Sequence, residues 1–249
     1  MNFRIYKQED RGHADHGWLD ARHSFSFSSW FNPELMSFGL LRVLNDDIVA
    51  PGMGFGMHPH QDMEIITIPL SGSIAHSDNT GGHGIIGPGE VQVMSAGRGI
   101  MHSEVNGSQT EAVSLFQLWI MPKEIGIKPR YDQRVYDYEK NKNSFVAVAS
   151  PLESDDALWI NQDSRVLFGH FESGNEISYT TIKQGNGLYL MVVYGEAEIA
   201  KQKLGRRDAI GVWDTDSIVI STKGNEPVKL LLIDVPMGGD VVEAIANKT

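Results

Sequence analysis

The sequence predicts an all-β protein made of two modules of similar size. Three observations carry this expectation. Short apolar runs alternate with glycine-rich turns along most of the chain, and 26 of its 249 residues are Gly. Helical periodicity is scarce, with the last stretch, 240–247, the best candidate for a short helix. A charged, apolar-poor stretch from Lys128 to Asn143 separates two blocks of similar strand density.

Taken in order, the predicted strands of the first block are Leu40–Leu44, Glu64–Leu70, Val91–Met94 and Leu115–Ile120. Those of the second are Phe145–Ala149, Val166–Phe171, Leu188–Val193, Ser217–Ile220 and Val228–Val235. Between them lie turns such as Ala50-Pro51-Gly52, Ser71-Gly72-Ser73, Gly87-Pro88-Gly89 and Lys223-Gly224-Asn225. Two sandwich or barrel modules, 1–138 and 139–249, follow from this spacing.

Composition narrows the chemistry. With no Cys, the chain has no disulfide, thiolate nucleophile or Fe–S ligation, so a metal must be held by nitrogen and oxygen. The net charge of −11 disfavours a direct nucleic-acid binder, whose affinity rests on clustered cations. No apolar run approaches the roughly 20 residues of a spanning helix, so no membrane association is expected. The first ten residues carry charges throughout and lack a signal-peptide core, which makes the cytoplasm the expected compartment.

Eight of the nine histidines lie at or before position 102; only His170 falls in the second block. Imidazole chemistry therefore belongs to the first. Its centre is the segment GMGFGMHPHQDME, residues 52–64. His58 and His60 are two apart, which places both rings on one face of a strand but far apart around a helix. Pro59 between them argues against the helix. Downstream, His102 and Glu104 repeat the spacing. Two such pairs on neighbouring strands present three imidazoles and one carboxylate to a single point. That donor set suits Fe, Cu, Ni, Co, Mn or Zn and is wrong for Ca or Mg. Four ligands leave two adjacent positions of an octahedral ion free for a substrate oxygen and O₂.

Other residues are assigned supporting places. His76 and His83, flanking the turn 78–82, are read as surface groups or hydrogen-bond partners of the ligands. Arg98 either faces an anionic substrate or orients its Gly-Arg-Gly bend. Met53, Phe55, Met57, Met94 and Met101 form either an apolar pocket wall or plain core. His13, His16 and His23 have no ligand spacing among themselves.

These residues carry a resemblance. The arrangement of His58, His60 and Glu64, followed by a Pro-Gly turn and a further His, is similar to the cupin signature. The segment GPGEVQVMSAGRGIMHSE, 87–104, closely resembles the pirin family, as do HSFSF at 23–27, LRVLND at 41–46 and FQLW at 116–119. The matches span about residues 15–122. Two departures from the general cupin pattern, a seven-residue gap between Glu64 and Gly72 and the longer approach to His102, both follow the pirin variant. In that variant the carboxylate ligand comes from the second motif, so the resemblance makes Glu64 structural or a neighbour of the ligands.

The resemblance implies two tandem cupin barrels, the first (1–138) binding metal and the second (139–249) lacking ligands. It implies one divalent transition metal, Fe(II) foremost, held by His58, His60, His102 and Glu104. Bacterial pirin-like proteins include quercetin 2,3-dioxygenases, so the implied activity is flavonol cleavage with O₂ and release of carbon monoxide. Glu104 would then be both ligand and proton acceptor. Eukaryotic pirin is associated with transcription factors, and bacterial relatives with metabolic enzymes. A non-catalytic, metal-dependent regulator with a protein partner is therefore the alternative, and another enolisable substrate a third reading. The family leans towards monomers.

Overall fold

In the computed structural model, residues 1–238 are described, and they form two stacked β-sandwich barrels. The predicted helix at 240–247 lies outside the described residues. Apart from two one-turn 3-10 segments, Gln8–Asp10 and Glu153–Asp155, the regular structure among the described residues is strand. Every predicted strand is present, most of them longer than expected: Leu41–Val49, Glu64–Ser71, Glu90–Ser95 and Val113–Ile120 in the first half. In the second they are Ser144–Ser150, Arg165–Phe171, Asn186–Tyr194, Ser217–Lys223 and Val228–Pro236.

Each half pairs a seven-stranded sheet with a four-stranded one. The two large sheets meet in the middle of the molecule, and their central strands are buried on both faces. That explains the continuous apolar runs, which alternate in destination rather than polarity. Along Val228–Pro236, Leu231, Ile233 and Val235 enter the central seam while Leu230 and Leu232 fill the second barrel. Along Glu64–Ser71, Ile66 and Ile68 enter the same seam. Thr67 points the other way, to Glu104 inside the first barrel.

The two barrels differ inside. The second is packed with Leu188, Leu190, Val192, Ile210 and Ile220. The first buries His23, Asn45, Asp47, Thr67, Gln92, His102 and Glu104. Buried polar groups must find partners, so the first barrel has a hydrogen-bonded interior where the second has an apolar one.

Two sequence expectations need correcting. The charged stretch 128–143 is not merely a separator, because Arg130–Val135 pairs antiparallel with Glu90–Ser95 at the edge of the first large sheet. An edge strand tolerates charged side chains, which hides it from a hydropathy reading. The opening strand Asn2–Tyr6, expected in the first module, instead adds to Ala209–Trp213 at the edge of the second large sheet. The chain thus begins in one sandwich and continues in the other. Arg207 fastens the halves: its guanidinium bonds both oxygens of Asp46 at 2.7 and 3.3 Å and the Val193 carbonyl, and stacks over Phe116.

Candidate metal centre

The site lies on the small sheet of the first barrel, where Gly54–His60 pairs antiparallel with Ile100–Asn106. The register sets His102 directly opposite His58, and a bulge between His102 and Glu104 shifts the pairing that follows. Alternation turns His58 and His60 to one face with ring centroids 4.8 Å apart, and His102 joins them at 4.4 and 4.9 Å. Candidate ligand atoms of the three imidazoles lie within 4.8 Å of one another.

The hydrogen bonds around the rings decide which nitrogens are free. His58 Nδ1 lies 2.7 Å from the Gly56 carbonyl oxygen, which can only accept, so Nδ1 carries the proton and Nε2 the lone pair. On the far side, His76 Nε2 donates to Asp78 Oδ2 at 3.1 Å, both side chains fully buried. In a neutral ring this leaves His76 Nδ1 as an acceptor, and His102 Nδ1 sits 3.4 Å from it. Gln92 Nε2 reaches the same His76 nitrogen at 3.4 Å, and in the tautomer of His102 that donates through Nδ1 its Nε2 is bare. Such outer partners fix the tautomer of a ligating imidazole.

The result is two bare Nε2 atoms, of His58 and His102, 3.0 Å apart. Two imidazole nitrogens at about 2.1 Å from one ion, at right angles around it, are also about 3.0 Å apart. Burial, reinforced by the neighbouring rings, lowers the pKa of His60 to about 4 and that of His102 to about 3, so both are neutral near pH 7. Neutral, convergent imidazoles are what a transition-metal ion requires. The residues present fit the group.

Glu104 is buried and stands apart from the triplet. It forms a second donor group with His76 and His102, so His102 belongs to both. Its Oε1 accepts from Thr67 Oγ1 at 3.1 Å and Gln92 Nε2 at 3.0 Å, and its Oε2 from Gln117 Nε2 at 2.6 Å. Gln117 Oε1 in turn accepts from Trp119 Nε1 at 3.1 Å. The indole of Trp119 packs edge-on against His60 at 4.9 Å and against Phe27 at 5.3 Å. Burial pushes the nearby Asp47 carboxyl up to about 8, with the charges of Asp46 and Glu104 adding to it.

Glu64 is in neither donor group. It is fully buried and its Oε2 accepts from Ser95 Oγ at 2.7 Å and from the Asn161 backbone N–H of the second half at 3.1 Å. Burial raises its pKa to about 7. His83 is exposed, with Nδ1 against the Gly81 carbonyl, but His76 is buried beside His102 and stacked on Tyr131. Of the two readings of the methionines, core packing holds for Met94, while Met53 and Met57 are exposed and Met101 borders a cavity of about 400 Å³ beside His60. Strand alternation sends Met57 and Met101 to the face opposite His58 and His102. Phe55 packs on Trp18. Arg98 is exposed, its backbone N–H held by the Ile127 carbonyl. His13 contacts Asp20 at the surface, buried His23 bonds Asn45, and His170 contacts Glu139. Sequence reasoning missed Thr67, and saw Phe27, Gln92, Gln117 and Trp119 only as parts of motifs. The period-two pattern of their strands, with polar residues amid apolar ones, is the signal that points them inward.

Residues 4–120 match the family model described as Pirin, and residues 147–235 the one described as Quercetinase C-terminal cupin domain. A protein of Escherichia coli strain K12 named quercetin 2,3-dioxygenase is 43% identical over 232 residues, covering 93% of this chain and 98% of the relative. The chain belongs to the pirin family. A pirin-like protein of Caulobacter vibrioides is likewise 43% identical, over 90% of this chain and 95% of its own. Among solved structures, the E. coli bacterial pirin YhhW in complex with nickel(II) is similar with a TM-score of 0.88 and 39% identity. That match covers 94% of this pirin chain and 99% of YhhW.

Proposed function

We propose that this pirin is a metal-dependent dioxygenase that cleaves flavonols such as quercetin with O₂ and releases carbon monoxide. The observation that carries the reading is the convergence of His58, His60 and His102, with the Nε2 atoms of His58 and His102 3.0 Å apart. The E. coli relative named quercetin 2,3-dioxygenase supports the choice of substrate class. In this reading His58, His60, His102 and Glu104 hold one divalent transition-metal ion, with Fe(II) our first assignment. YhhW in its nickel(II) complex supports a borderline ion at such a site. When bound, the ion supplies Lewis acidity towards oxygen donors.

The chain's own residues do the rest. Trp119 and Phe27 offer flat apolar surface beside His60 for an aromatic substrate. Glu104 takes the proton of the flavonol 3-hydroxyl on a carboxylate oxygen, and Gln117, held by Trp119, orients that oxygen. A carboxylate shared with a cation must loosen from it to act as a base. The hydrogen bonds of Thr67, Gln92 and Gln117 give it somewhere to go.

The test is turnover. Metal-stripped protein reloaded with Fe(II) or Ni(II) is mixed with quercetin in air, and flavonol absorbance and carbon monoxide are followed. The reading expects metal-dependent loss of quercetin with carbon monoxide released, and its absence in His102→Ala. Metal-replete protein that leaves quercetin intact would overturn it and leave the non-catalytic regulator.

A further inference from the structure

The seam between the two barrels contains a cavity of about 320 Å³ that shares no residue with the imidazole cluster. Its walls come from both halves. Ile68, Pro69 and Leu70 close it on one side, and Phe168, His170 and Val193 on the other. Tyr138 also lines it, packed on Phe168 at 5.2 Å and on His170 at 5.1 Å. Its buried hydroxyl has no partner among the described residues.

The charge on the rim runs against that of the molecule. The chain carries −11, yet this cavity is lined by Arg206, Arg207 and Lys229 and by no carboxylate. Arg207 is committed to Asp46. Arg206 and Lys229 are exposed and have no ion-pair or hydrogen-bond partner for their side chains among the described residues. Two free cations at the mouth of an apolar slot complement a molecule with an apolar body and one negative end. The volume is that of a small-molecule site.

We propose that this seam is a second ligand site, for a small apolar monocarboxylate whose body lies between Leu70 and Phe168 and whose carboxylate meets Arg206 and Lys229. An occupant bridges both halves, so it binds the assembled fold and not the unfolded chain, and it raises the melting temperature. The strand that supplies Ile68 to this cavity supplies Thr67, on its other face, to Glu104. The site is therefore one strand away from the metal centre.

The experiment is a calorimetric titration of the full-length, nickel-loaded protein with 2-naphthoate, beside its neutral counterpart 2-naphthamide. The proposal expects saturable binding of the acid, at least tenfold weaker for the amide and at least tenfold weaker in the Arg206→Ala/Lys229→Ala double variant. Because a carboxylate also ligates metals, the titration is repeated on His58→Ala/His102→Ala, where the same affinity is expected. Absent saturation, equal affinity for acid and amide, indifference to the double variant, or loss of binding in the imidazole variant would each overturn it. Arg206 and Lys229 are exposed, so their truncation leaves the fold intact.

Discussion

His58 and His102, on paired strands and 44 residues apart, face each other through their Nε2 atoms at 3.0 Å. The Nδ1 atom of His58 gives its proton to the Gly56 carbonyl, and that of His102 lies 3.4 Å from His76 Nδ1. Truncating either imidazole removes one of two converging donors. His58→Ala or His102→Ala should lower nickel(II) affinity by at least about 100-fold, since a ligand counts for more than the outer partners worth roughly 10–100-fold. Calorimetric titration of stripped protein measures it.

His76 does not need to touch the ion to matter. Its Nε2–H is bonded to Asp78, which leaves Nδ1 to hold His102 in the tautomer with a bare Nε2. His76→Ala should weaken nickel(II) binding about 10–100-fold, and Asp78→Asn should follow in the same direction. A change in the ring-proton resonances of His102, recorded without metal, separates a tautomer effect from general unfolding.

Proton uptake at the histidines has a definite sign. Burial depresses His60 to about 4 and His102 to about 3, below the value near 6.5 of an unfolded His. The folded state therefore binds fewer protons than the unfolded one, and the stability these rings contribute is present above about pH 6.5. It is lost as pH falls through 4 and 3. Nickel occupancy should hold down to about pH 5 and collapse below it, which a pH series of bound-metal assays tests.

Glu64 behaves in the opposite sense. Burial raises its folded pKa to about 7, so the folded state holds a proton that the unfolded chain releases above about 4.5. Stability from this group is complete below pH 4.5 and falls as pH rises to 7, by a total of roughly 3 kcal/mol. Glu64→Gln should remove that slope, giving a smaller loss of stability between pH 5 and 7 than the parent in urea denaturation.

Asp46 is the shared anion at the junction of the halves, bonded by Arg207 at 2.7 Å and by Arg11 at 3.3 Å. Removing it leaves two buried guanidinium groups without their partner, which costs roughly 3–5 kcal/mol. Arg207→Ala leaves Asp46 its second cation and should cost less. Parallel denaturant titrations of Asp46→Ala and Arg207→Ala rank the two.

The reach of sequence reasoning can be followed residue by residue. Strand Val228–Pro236 was legible because burial on both faces of its middle requires an apolar run, Leu230 to Ile233. Strand Arg130–Val135 was not, because an edge position places no such demand on its side chains. His58 and His60 could be paired in advance, since alternation along a strand is a local rule. Glu104 could be nominated by the same rule. That its carboxylate rests against Thr67, Gln92 and Gln117 depends on three other strands and on a bulge that no local pattern announces.

By itself, then, the sequence determined the all-β class, the two blocks and the concentration of imidazole in the first, because these follow from composition and from period-two spacing. Only the tertiary structure decided that His76 and Asp78 stand behind His102, and that Asn2–Tyr6 completes the sheet of the far half. It alone set Arg206 and Lys229, which have no side-chain partner among the described residues, around an apolar seam. Those are juxtapositions of residues far apart in the chain, and they are fixed by strand register and sheet packing, which act across the fold and leave little trace in neighbouring residues.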